Sequence, residues 1–229
     1  AERQQQHRGA LRPGQFAVLG LPPGAPRHLL ADPDESGNTD GKLLRRSYSI
    51  ASSSVQNEYL EFYVSLVRSG ALSPRLFALA AGDRVWLGPK TSGLFTLDEV
   101  PEDADLVLIA TGTGLAPYMS MLRSQLTRLP SRRIAVLHGA RHASDLGYRD
   151  ELLAMSGASE RFAYLPVISR PDEEPAPWRD EVGYVQDLWR ARRLDARWGR
   201  RPVPAECHVF LCGNPLMVER VTLDGDIKK

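Results

Sequence analysis

Cysteine is scarce in this sequence. Its 229 residues include two cysteines, Cys207 and Cys212, which are too few for a four-thiolate iron–sulfur cluster. They also lack the companion histidine or cysteine spacing of a structural zinc site, so no metal site is predicted. Both stand beside an apolar run, which favours reduced thiols in a cytoplasmic protein over a disulfide framework.

Long apolar runs and an excess of one charge are absent as well. No stretch approaches the ~20 apolar residues that a membrane-spanning helix needs, and the start has no signal-peptide pattern. A formal net charge of +1 gives no general reason to expect nucleic acid or an anionic membrane as partner. What is present, 42% hydrophobic and 25% charged residues, indicates a soluble globular protein with room for two domains.

The first hundred residues have the pattern of a small antiparallel barrel. A short helix is predicted at 73–80, with Ser73 as its N-cap and Pro74 at its first position. Residues 1–9 predict a mobile end, and the segment 22–43, rich in turn-forming residues, predicts a disordered insertion. Short runs of apolar residues between turns predict strands at 15–21, 46–51, 59–67, 83–87 and 93–97.

Near residue 100 the pattern changes to that of a parallel α/β sheet, in which nearly continuous apolar runs alternate with helical segments. The boundary is expected near 98–105, where Pro101 and acidic residues interrupt the apolar pattern, so the predicted domains are 1–100 and 101–229. Strands are predicted at 105–110, 134–138, 164–168 and 209–212, and helices at 117–129, 145–155, 185–193 and from 217 onward.

The segments that follow these strands are candidates for a ligand site, because ligands of an open α/β sheet bind beyond the carboxyl ends of its strands. Thr111-Gly112-Thr113-Gly114 follows the first strand. Its glycines would let a ligand approach the backbone, and the next helix offers unpaired N–H groups to a pyrophosphate. A tight turn without ligand has the same pattern, since the third glycine of the dinucleotide fingerprint is lacking.

Arginines follow the second and third strands, and a cysteine ends the fourth. Arg141 and Ser169-Arg170 would suit a phosphate monoester, because each guanidinium can give two charge-assisted hydrogen bonds, although each arginine alone also fits a solvated surface. Cys212-Gly213-Asn214-Pro215 places a cysteine and a turn at the same sheet edge. A buried small hydrophobe followed by a plain turn is the alternative.

The stretch Arg46-Ser47-Tyr48-Ser49 lies within a predicted strand of the first domain. It offers a guanidinium for a phosphate, a flat aromatic face and a hydroxyl, which together could bind one large cofactor. A surface strand with an ordinary tyrosine and a solvated arginine is the alternative.

Four motifs in this order resemble the ferredoxin–NADP reductase family: Arg46-Ser47-Tyr48-Ser49, Gly70-Ala71-Leu72-Ser73-Pro74-Arg75-Leu76, Gly112-Thr113-Gly114-Leu115-Ala116-Pro117 and Cys212-Gly213-Asn214-Pro215. The segments 60–63, 138–141, 169–170 and 208–212 narrow the resemblance to the bacterial ferredoxin/flavodoxin–NADP reductases, over roughly residues 11–220. The resemblance implies two domains, an N-terminal antiparallel β-barrel of Greek-key type that binds FAD and a C-terminal α/β domain with a parallel sheet that binds NADP(H).

The resemblance also implies residue roles in the FAD site. Arg46 would pair with the pyrophosphate, Tyr48 would stack on the isoalloxazine ring, and Ser49 would lie against its N5. The other residues of this site are Ser47, Tyr63, Ala71, Leu72 and Ser73.

In the NADP(H) site, the resemblance implies that Arg141, Ser169 and Arg170 hold the adenosine 2′-phosphate, which distinguishes NADPH from NADH. Cys212 would face the reactive carbon of the nicotinamide and would form the catalytic set with Tyr48 and Ser49 of the FAD site. The remaining residues of the NADP(H) site are Thr111, Gly112, Thr113, Gly114, Tyr184, Gly213 and Asn214.

The implied activity is that of an oxidoreductase. Hydride passes from NADPH to N5 of FAD, and electrons pass one at a time to ferredoxin or flavodoxin, or in reverse. The carrier would be a transient partner of a monomeric enzyme.

Three features depart from the family pattern. Bacterial members have an arginine where this chain has Tyr184, which could stack on the adenine instead. Family chains also close on an aromatic residue near the flavin, which 221–229 lack, so we expect the final segment to be missing or altered. Only a dozen residues precede Gln15, too few for the whole first strand and its lead-in.

Two other functions stay open. An NADH-dependent reductase of an oxygenase system shares the fold but commonly carries a fused iron–sulfur domain, which two cysteines exclude within this chain. A non-catalytic redox sensor is the other, against which the intact Tyr48, Ser49 and Cys212 argue. A basic run could attract an acidic carrier or form a solvated helix face: Arg190, Arg192, Arg193, Arg197, Arg200 and Arg201.

Overall fold

The computed structural model describes residues 11–34, 41–56, 58–125 and 132–223. The chain divides into two compact units, Ala1–Leu97 with Met119–Ser124 and Asp98–Tyr118 with Gln125–Lys229. None of the helices in the described ranges is long and apolar enough to cross a membrane.

The first unit is built on a three-stranded antiparallel sheet with the order β2-β1-β3. Its strands are β1 (Phe16–Leu21), β2 (Leu44–Ser49) and β3 (Trp86–Leu87). In the β1–β2 register, Phe16 lies opposite Ser49 and Leu21 lies opposite Leu44. Single antiparallel bridges extend the pairing, from Phe16 to Ser92 and from Ile50 to Phe62.

The strands predicted at 59–67 and 93–97 do not form. The first segment contributes only the bridge at Phe62, and none of its residues is buried, so it has no buried face to fix a strand register. In the second segment, Leu94 is 93% exposed. The strand predicted at 83–87 is reduced to the two residues of β3.

Helix α1 (Ser73–Leu76) is shorter than predicted, and Ser73 is not its N-cap. Leu72 occupies that position, without a side-chain capping bond. The hydroxyl of Ser73 instead accepts the N–H of Val67 at 3.1 Å and donates to the carbonyl of Val67 at 3.3 Å. Pro74 stands at the start of the helix, where its missing N–H costs no hydrogen bond.

The prediction of a disordered insertion is wrong for residues 22–34, while 1–9 and 35–40 lie outside the described residues. Arg75, only 2% exposed, donates to the carbonyl of Pro23 and forms an ion pair with Asp34. The buried guanidinium therefore fastens this loop to the turn that begins α1.

The second unit contains a five-stranded parallel sheet with the order β7-β6-β5-β4-β8. Its strands are β4 (Asp105–Thr111), β5 (Ile134–Ala140), β6 (Phe162–Ile168), β7 (Glu181–Val182) and β8 (Cys207–Cys212). Helix α2 (Ala116–Gln125) begins and ends in this unit, whereas its residues Met119–Ser124 are assigned to the first unit. The other helices of the second unit are α3 (Arg149–Ala158), α4 (Val185–Arg190), α5 (Arg193–Trp198) and α6 (Pro215–Leu223).

The apolar runs of β4, β5 and β6 are buried, as their sequence pattern indicates, while the edge strand β8 is only partly buried. On one face of the sheet, Val107, Leu137 and Leu165 pack in a common core with Leu188 of α4 and Trp198 of α5. Strands β5 and β8 flank β4 on opposite sides, so the winding of the chain reverses between β4 and β8. This reversal is the topological switch point of the sheet. Open α/β sheets bind their ligands at such a point, beyond the carboxyl ends of the strands.

Three details of the second unit differ from the prediction. Strand β7 was not predicted, and the helix predicted at 185–193 is interrupted because Arg192 takes a left-handed conformation with φ 54°. Helix α3 begins at Arg149, since Ala143–Asp145 form a separate 3₁₀ turn. The end of the helix predicted at 117–129 lies outside the described residues.

Candidate functional site

The turns after β4 and β8 pack directly against each other at the switch point. Asn214 donates its backbone N–H to Oγ1 of Thr111 at 2.7 Å. A Cβ added to Gly114 would lie 2.3 Å from the carbonyl oxygen of Cys212, and a Cβ on Gly213 would lie 2.2 Å from Oγ1 of Thr111. These two glycines therefore serve the contact between the two turns, a role that the sequence pattern did not predict.

Gly112 differs from the other glycines of these turns. Its φ is +51°, and a Cβ built on it would meet nothing within 4 Å. The backbone at Gly112 thus borders open space at the end of β4, which fits the close approach of a nucleotide. Thr113, another residue of the predicted nucleotide-binding turn, lies with Gly112 in the 3₁₀ turn Gly112–Leu115.

Cys212 ends β8 in a partly buried position, and burial raises the pKa of its thiol. Tyr118 of α2 is fully buried and donates its hydroxyl to the carbonyl of Ile109 at 3.2 Å. Burial, and then the charge of an ionised Cys212, raise the pKa of Tyr118 well above its usual value. Both groups are therefore neutral at physiological pH, which excludes a thiolate nucleophile here.

We expect Cys212 to resist alkylation. The thiolate is the reacting species, so at neutral pH iodoacetamide should modify Cys212 about tenfold more slowly than free cysteine, or slower still. Cys207, whose burial raises its pKa to about 12, provides an internal control that should also stay unmodified until the protein is unfolded. Peptide mass spectrometry measures both sites, and modification of Cys212 at the rate of free cysteine would contradict the assignment of a neutral thiol.

His138 lies in β5 and is fully buried. Its Nδ1 is 3.3 Å from the hydroxyl of Tyr164, its buried Nε2 has no hydrogen-bond partner among the described residues, and burial lowers its pKa to about 4. The imidazole is thus neutral at physiological pH. Its role was not predicted, although it begins the segment 138–141.

The structure brings the arginines after β5 and β6 together, as the sequence predicts. Ser169 donates its N–H to the carbonyl of Ala140 at 3.1 Å, and Arg170 donates its N–H to the carbonyl of Arg141 at 3.0 Å. Both arginine side chains start at the same sheet edge, and the side chain of Arg170 is 48% exposed. This pair could hold a phosphate.

Tyr184 stands beside the same edge as the N-cap residue of α4. The N–H of the preceding Gly183 bonds the carbonyl of Ile168 at 2.9 Å, which fixes Tyr184 next to the end of β6. Its side chain is 58% exposed, so one face of the ring is available to a flat ligand.

In the first unit, strand β2 and the turn before α1 meet at a small apolar core formed by Leu21, Leu44 and Leu72. Tyr48 and Ala71 pack against this core. Burial raises the pKa of Tyr48, with the charge of Arg46 opposing it, so the phenol is neutral. By strand alternation, Arg46 lies on the same face of β2, between Leu44 and Tyr48, and it is exposed.

The remaining predicted residues of this site lie close to β2 or α1 in the chain. Ser47 is exposed and Ser49 is partly buried, and Tyr63 directly follows Phe62, which bridges Ile50 beside Ser49. At the start of α1, the N–H groups of Leu72 and Ser73 bond no carbonyl among the described residues. Those N–H groups and the guanidinium of Arg46 are donors that suit a diphosphate.

At least three of the six arginines of the basic run form ion pairs. Arg193 lies 3.3 Å from Glu181, Arg190 lies 3.6 Å from Asp187, and Arg200 lies 3.2 Å from Glu206. These ion pairs favour a solvated face over a docking surface for an acidic carrier. Within the described ranges, no group of three or more His, Cys, Asp or Glu side chains could hold a metal ion.

Comparison with known families assigns both halves of the chain. The model of the oxidoreductase FAD-binding domain matches residues 11–92, and that of the oxidoreductase NAD-binding domain matches residues 108–222.

Relatives of known function support the same assignment. The flavodoxin/ferredoxin–NADP reductase of Escherichia coli (strain K12) is 34% identical over 206 residues, covering 90% of this chain and 75% of the relative. The ferredoxin–NADP reductase of Pseudomonas aeruginosa is 30% identical over 218 residues, covering 91% and 76%. The reductase component of phenol 2-monooxygenase from Pseudomonas sp. (strain CF600) is 31% identical over 176 residues, covering 76% and 47%.

A solved structure confirms the predicted fold class, an N-terminal antiparallel sheet domain followed by a parallel α/β domain. The ferredoxin NADP+ reductase from Neisseria gonorrhoeae with bound FAD and NADP aligns with a TM-score of 0.75 at 24% identity, covering 93% of this chain and 78% of that one.

Proposed function

The chain belongs to the flavodoxin/ferredoxin–NADP reductase family, and from this premise we propose which of its residues hold the two cofactors. The protein is an oxidoreductase that binds FAD and NADP(H). We assign FAD to residues 1–100 and NADP(H) to residues 101–229, a division that the two family-model matches support.

For FAD, the proposed diphosphate ligands are Arg46 and the N–H groups of Leu72 and Ser73. The half-buried ring of Tyr48 stacks on the isoalloxazine, and Ser49, at the end of the same strand, lies against N5. The support for this assignment is that β2 and the turn before α1 share one apolar core, to which both Tyr48 and Leu72 belong. The wider set comprises Ser47, Tyr63 and Ala71.

For NADP(H), the proposed 2′-phosphate ligands are Arg141, Ser169 and Arg170. The observation that carries this proposal is the backbone bond between Arg170 and Arg141, which holds two guanidinium-bearing residues at one sheet edge. Tyr184, exposed beside this edge, stacks on the adenine. The turns of β4 and β8 hold the rest of the dinucleotide through Thr111, Gly112, Thr113, Gly114, Gly213 and Asn214.

Bound flavin supplies the chemistry that converts a hydride into single electrons. The residues of the chain bind and orient the two cofactors. Arg46 and the start of α1 hold a diphosphate, Tyr48 presents a neutral ring, and Cys212 presents a neutral thiol to the nicotinamide ring without donating or accepting a proton. Because no side chain must change its charge, the rate of flavin reduction should depend little on pH near neutrality.

We further propose that the electron carrier is ferredoxin or flavodoxin, bound transiently by a monomeric enzyme in the cytoplasm. The names of the relatives support the carrier class. The likeness to a phenol 2-monooxygenase reductase component supports one competing function, delivery of electrons from NADH to an oxygenase. Preference for NADPH over NADH distinguishes the two.

Replacing Arg170 with alanine should weaken the use of NADPH about 10- to 100-fold, because the 2′-phosphate loses a charge-assisted ion pair. The use of NADH should change less than about twofold, since NADH carries no such phosphate. Stopped-flow mixing of the FAD-loaded protein with each coenzyme measures this as the concentration dependence of flavin bleaching.

Arg161→Ala is the matched control, because it removes the same charge from the residue before β6, at the opposite end of that strand. This control should leave both coenzymes unaffected. Equal losses with NADPH and NADH in Arg170→Ala would place Arg170 elsewhere. If neither coenzyme bleaches the flavin of the unmodified protein, the proposed electron transfer fails.

A further inference from the structure

A carboxylate lies inside the proposed 2′-phosphate site. Glu173 closes a 3₁₀ turn, Pro171–Glu173, that begins directly after Arg170. Its Oε2 is 2.9 Å from Nε2 of His142, and both of its carboxylate oxygens are 3.4 Å from Nη1 of Arg170. Glu173 therefore joins the residue after Arg141 to the arginine after β6.

The side chains of this cluster alternate in charge. The other ring nitrogen of His142, Nδ1, is 3.3 Å from the carboxylate of Asp145. The hydrogen bond that Glu173 accepts from His142, together with the hydrogen bond to Asp145 and its charge, raises the pKa of His142. The bond to His142 and the charge of Arg170 lower the pKa of Glu173. Glu173 is therefore ionised at neutral pH, and it engages a guanidinium and an imidazole that could otherwise face a phosphate.

We propose that Glu173 sets the coenzyme specificity of this protein by competing with the 2′-phosphate for Arg170 and His142. The inference rests on the proposed role of Arg170. A 2′-phosphate carries nearly two negative charges at neutral pH, so it is repelled by Glu173 and must share or displace it. NAD(H) carries no charge at this point and leaves the cluster as it is. Glu173 thus lowers the ratio of the affinity for NADP(H) to the affinity for NAD(H).

The adjacent residue provides a matched control. Glu174 accepts the N–H of Ala143 through Oε1 at 2.9 Å, so it holds the same two chain segments together through a backbone contact. Replacing Glu173 or Glu174 with glutamine removes one negative charge from the same turn in each case. Direct competition at Arg170 predicts a large difference in NADP+ affinity between the two variants. A general change of the electrostatic field predicts that both variants change this affinity to a similar extent.

The test is isothermal titration of the FAD-loaded full chain with NADP+, NAD+ and 2′-phospho-AMP. Glu173→Gln should raise the affinity for NADP+ and 2′-phospho-AMP about three- to tenfold and leave NAD+ within about twofold. The gain is limited because the same change lowers the pKa of His142 and so removes part of its positive charge. Added salt should reduce the gain, since the pair is exposed. Glu174→Gln should leave the NADP+ to NAD+ ratio unchanged.

The outcomes separate this inference from the function on which it rests. If Arg170→Ala weakens NADP+ but Glu173→Gln leaves the ratio unchanged or lowers it, Glu173 orients the arginine or is inert, and the inference is wrong. Equal gains in Glu173→Gln and Glu174→Gln would also overturn it. If Arg170→Ala affects NADP+ and NAD+ alike, the 2′-phosphate site itself is misplaced, and the inference falls with it.

Discussion

Gly213→Ala is expected to destabilise the second unit by about 3–5 kcal/mol. The φ of Gly213 is +137°, a conformation that side-chain-bearing residues rarely adopt, and the added Cβ would lie 2.2 Å from Oγ1 and 2.8 Å from the backbone nitrogen of Thr111. The turn after β8 would have to leave the end of β4, with loss of the bond from Asn214 to Thr111. Urea unfolding followed by tryptophan fluorescence measures the effect, since Trp178, Trp189 and Trp198 belong to this unit.

Gly112→Ala is the matched comparison, because Gly112 also has a positive φ but no neighbour within 4 Å of an added Cβ. It should cost only about 1 kcal/mol of stability, the usual penalty for alanine in a left-handed conformation. Its methyl group would nevertheless enter the space assigned to the nucleotide, so NADP+ affinity should fall although the fold persists. Equal stability of Gly213→Ala and the unmodified protein would show that the two turns do not need this contact.

The parallel sheet could be predicted from the sequence because its inner strands, β4, β5 and β6, are buried on both faces. Such strands consist of nearly continuous apolar residues, and β4, β5, β6 and β8 all begin within four residues of their predicted starts. The two-residue strand β7 carries no such run and was missed. The strand ends could be predicted to converge for a topological reason, since carboxyl ends of parallel strands share one edge. Hence Arg141 and Arg170 could be expected at one sheet edge, where a backbone hydrogen bond joins them.

The antiparallel half was harder to predict, because half-buried strands have a weaker signal. Residues 59–67 carry apolar side chains but bury none of them, and only Phe62 pairs. The Ser73 N-cap was predicted from a local rule, and the contact of Ser73 with Val67 across the preceding turn decided the outcome instead. A short polar side chain near a helix start has several acceptors within reach, and the sequence alone does not choose among them.

The proposed site contains residues that the sequence did not single out by role, chiefly Tyr118, His138 and Glu173. Each acts through a neighbour that is distant in the chain or on another element: Tyr118 contacts the β4 carbonyl of Ile109, and Glu173 contacts His142, 31 residues away. Composition and spacing do not reveal such contacts. Their only sequence signal is position, since each stands in or just after a motif that ends a strand.

The loop at 22–34 shows the same limit most clearly. Its prolines, its glycine and its aspartates predict disorder when only neighbours in sequence are considered. In the fold, His28 donates its N–H to the carbonyl of Pro74 at 2.9 Å, and Asp32 donates its N–H to the carbonyl of Arg68 at 3.0 Å. A loop of turn residues is thus ordered by a distant segment, and the side chain that connects the two is Arg75.

Arg75→Ala is expected to lower the free energy of unfolding of the first unit by about 2–4 kcal/mol and to release this loop. The buried guanidinium donates to Ala71 at 2.6 Å and to Pro23 at 3.1 Å, and it pairs with Asp34, so its loss removes the donors of two partly buried carbonyls and breaks an ion pair. The cost stays below that of an isolated buried charge, because Asp34 keeps Arg27 at 3.6 Å. Hydrogen–deuterium exchange of residues 24–34 should become fast, and FAD should dissociate more readily because Ala71 borders its proposed site.

Two further variants separate geometry from charge. Arg75→Lys keeps the charge but cannot reach Pro23, Ala71 and Asp34 together, so it should lose most of the same stability. Arg68→Ala removes an equal charge from an exposed ion pair, in which Nε of Arg68 lies 3.3 Å from Oδ1 of Asp32 and the side chain of Arg68 is 65% exposed. This variant should cost no more than about 0.5 kcal/mol. If Arg75→Ala unfolds like Arg68→Ala and its loop stays protected from exchange, the backbone bonds of the loop suffice to order it, and Arg75 is not what fastens it to α1.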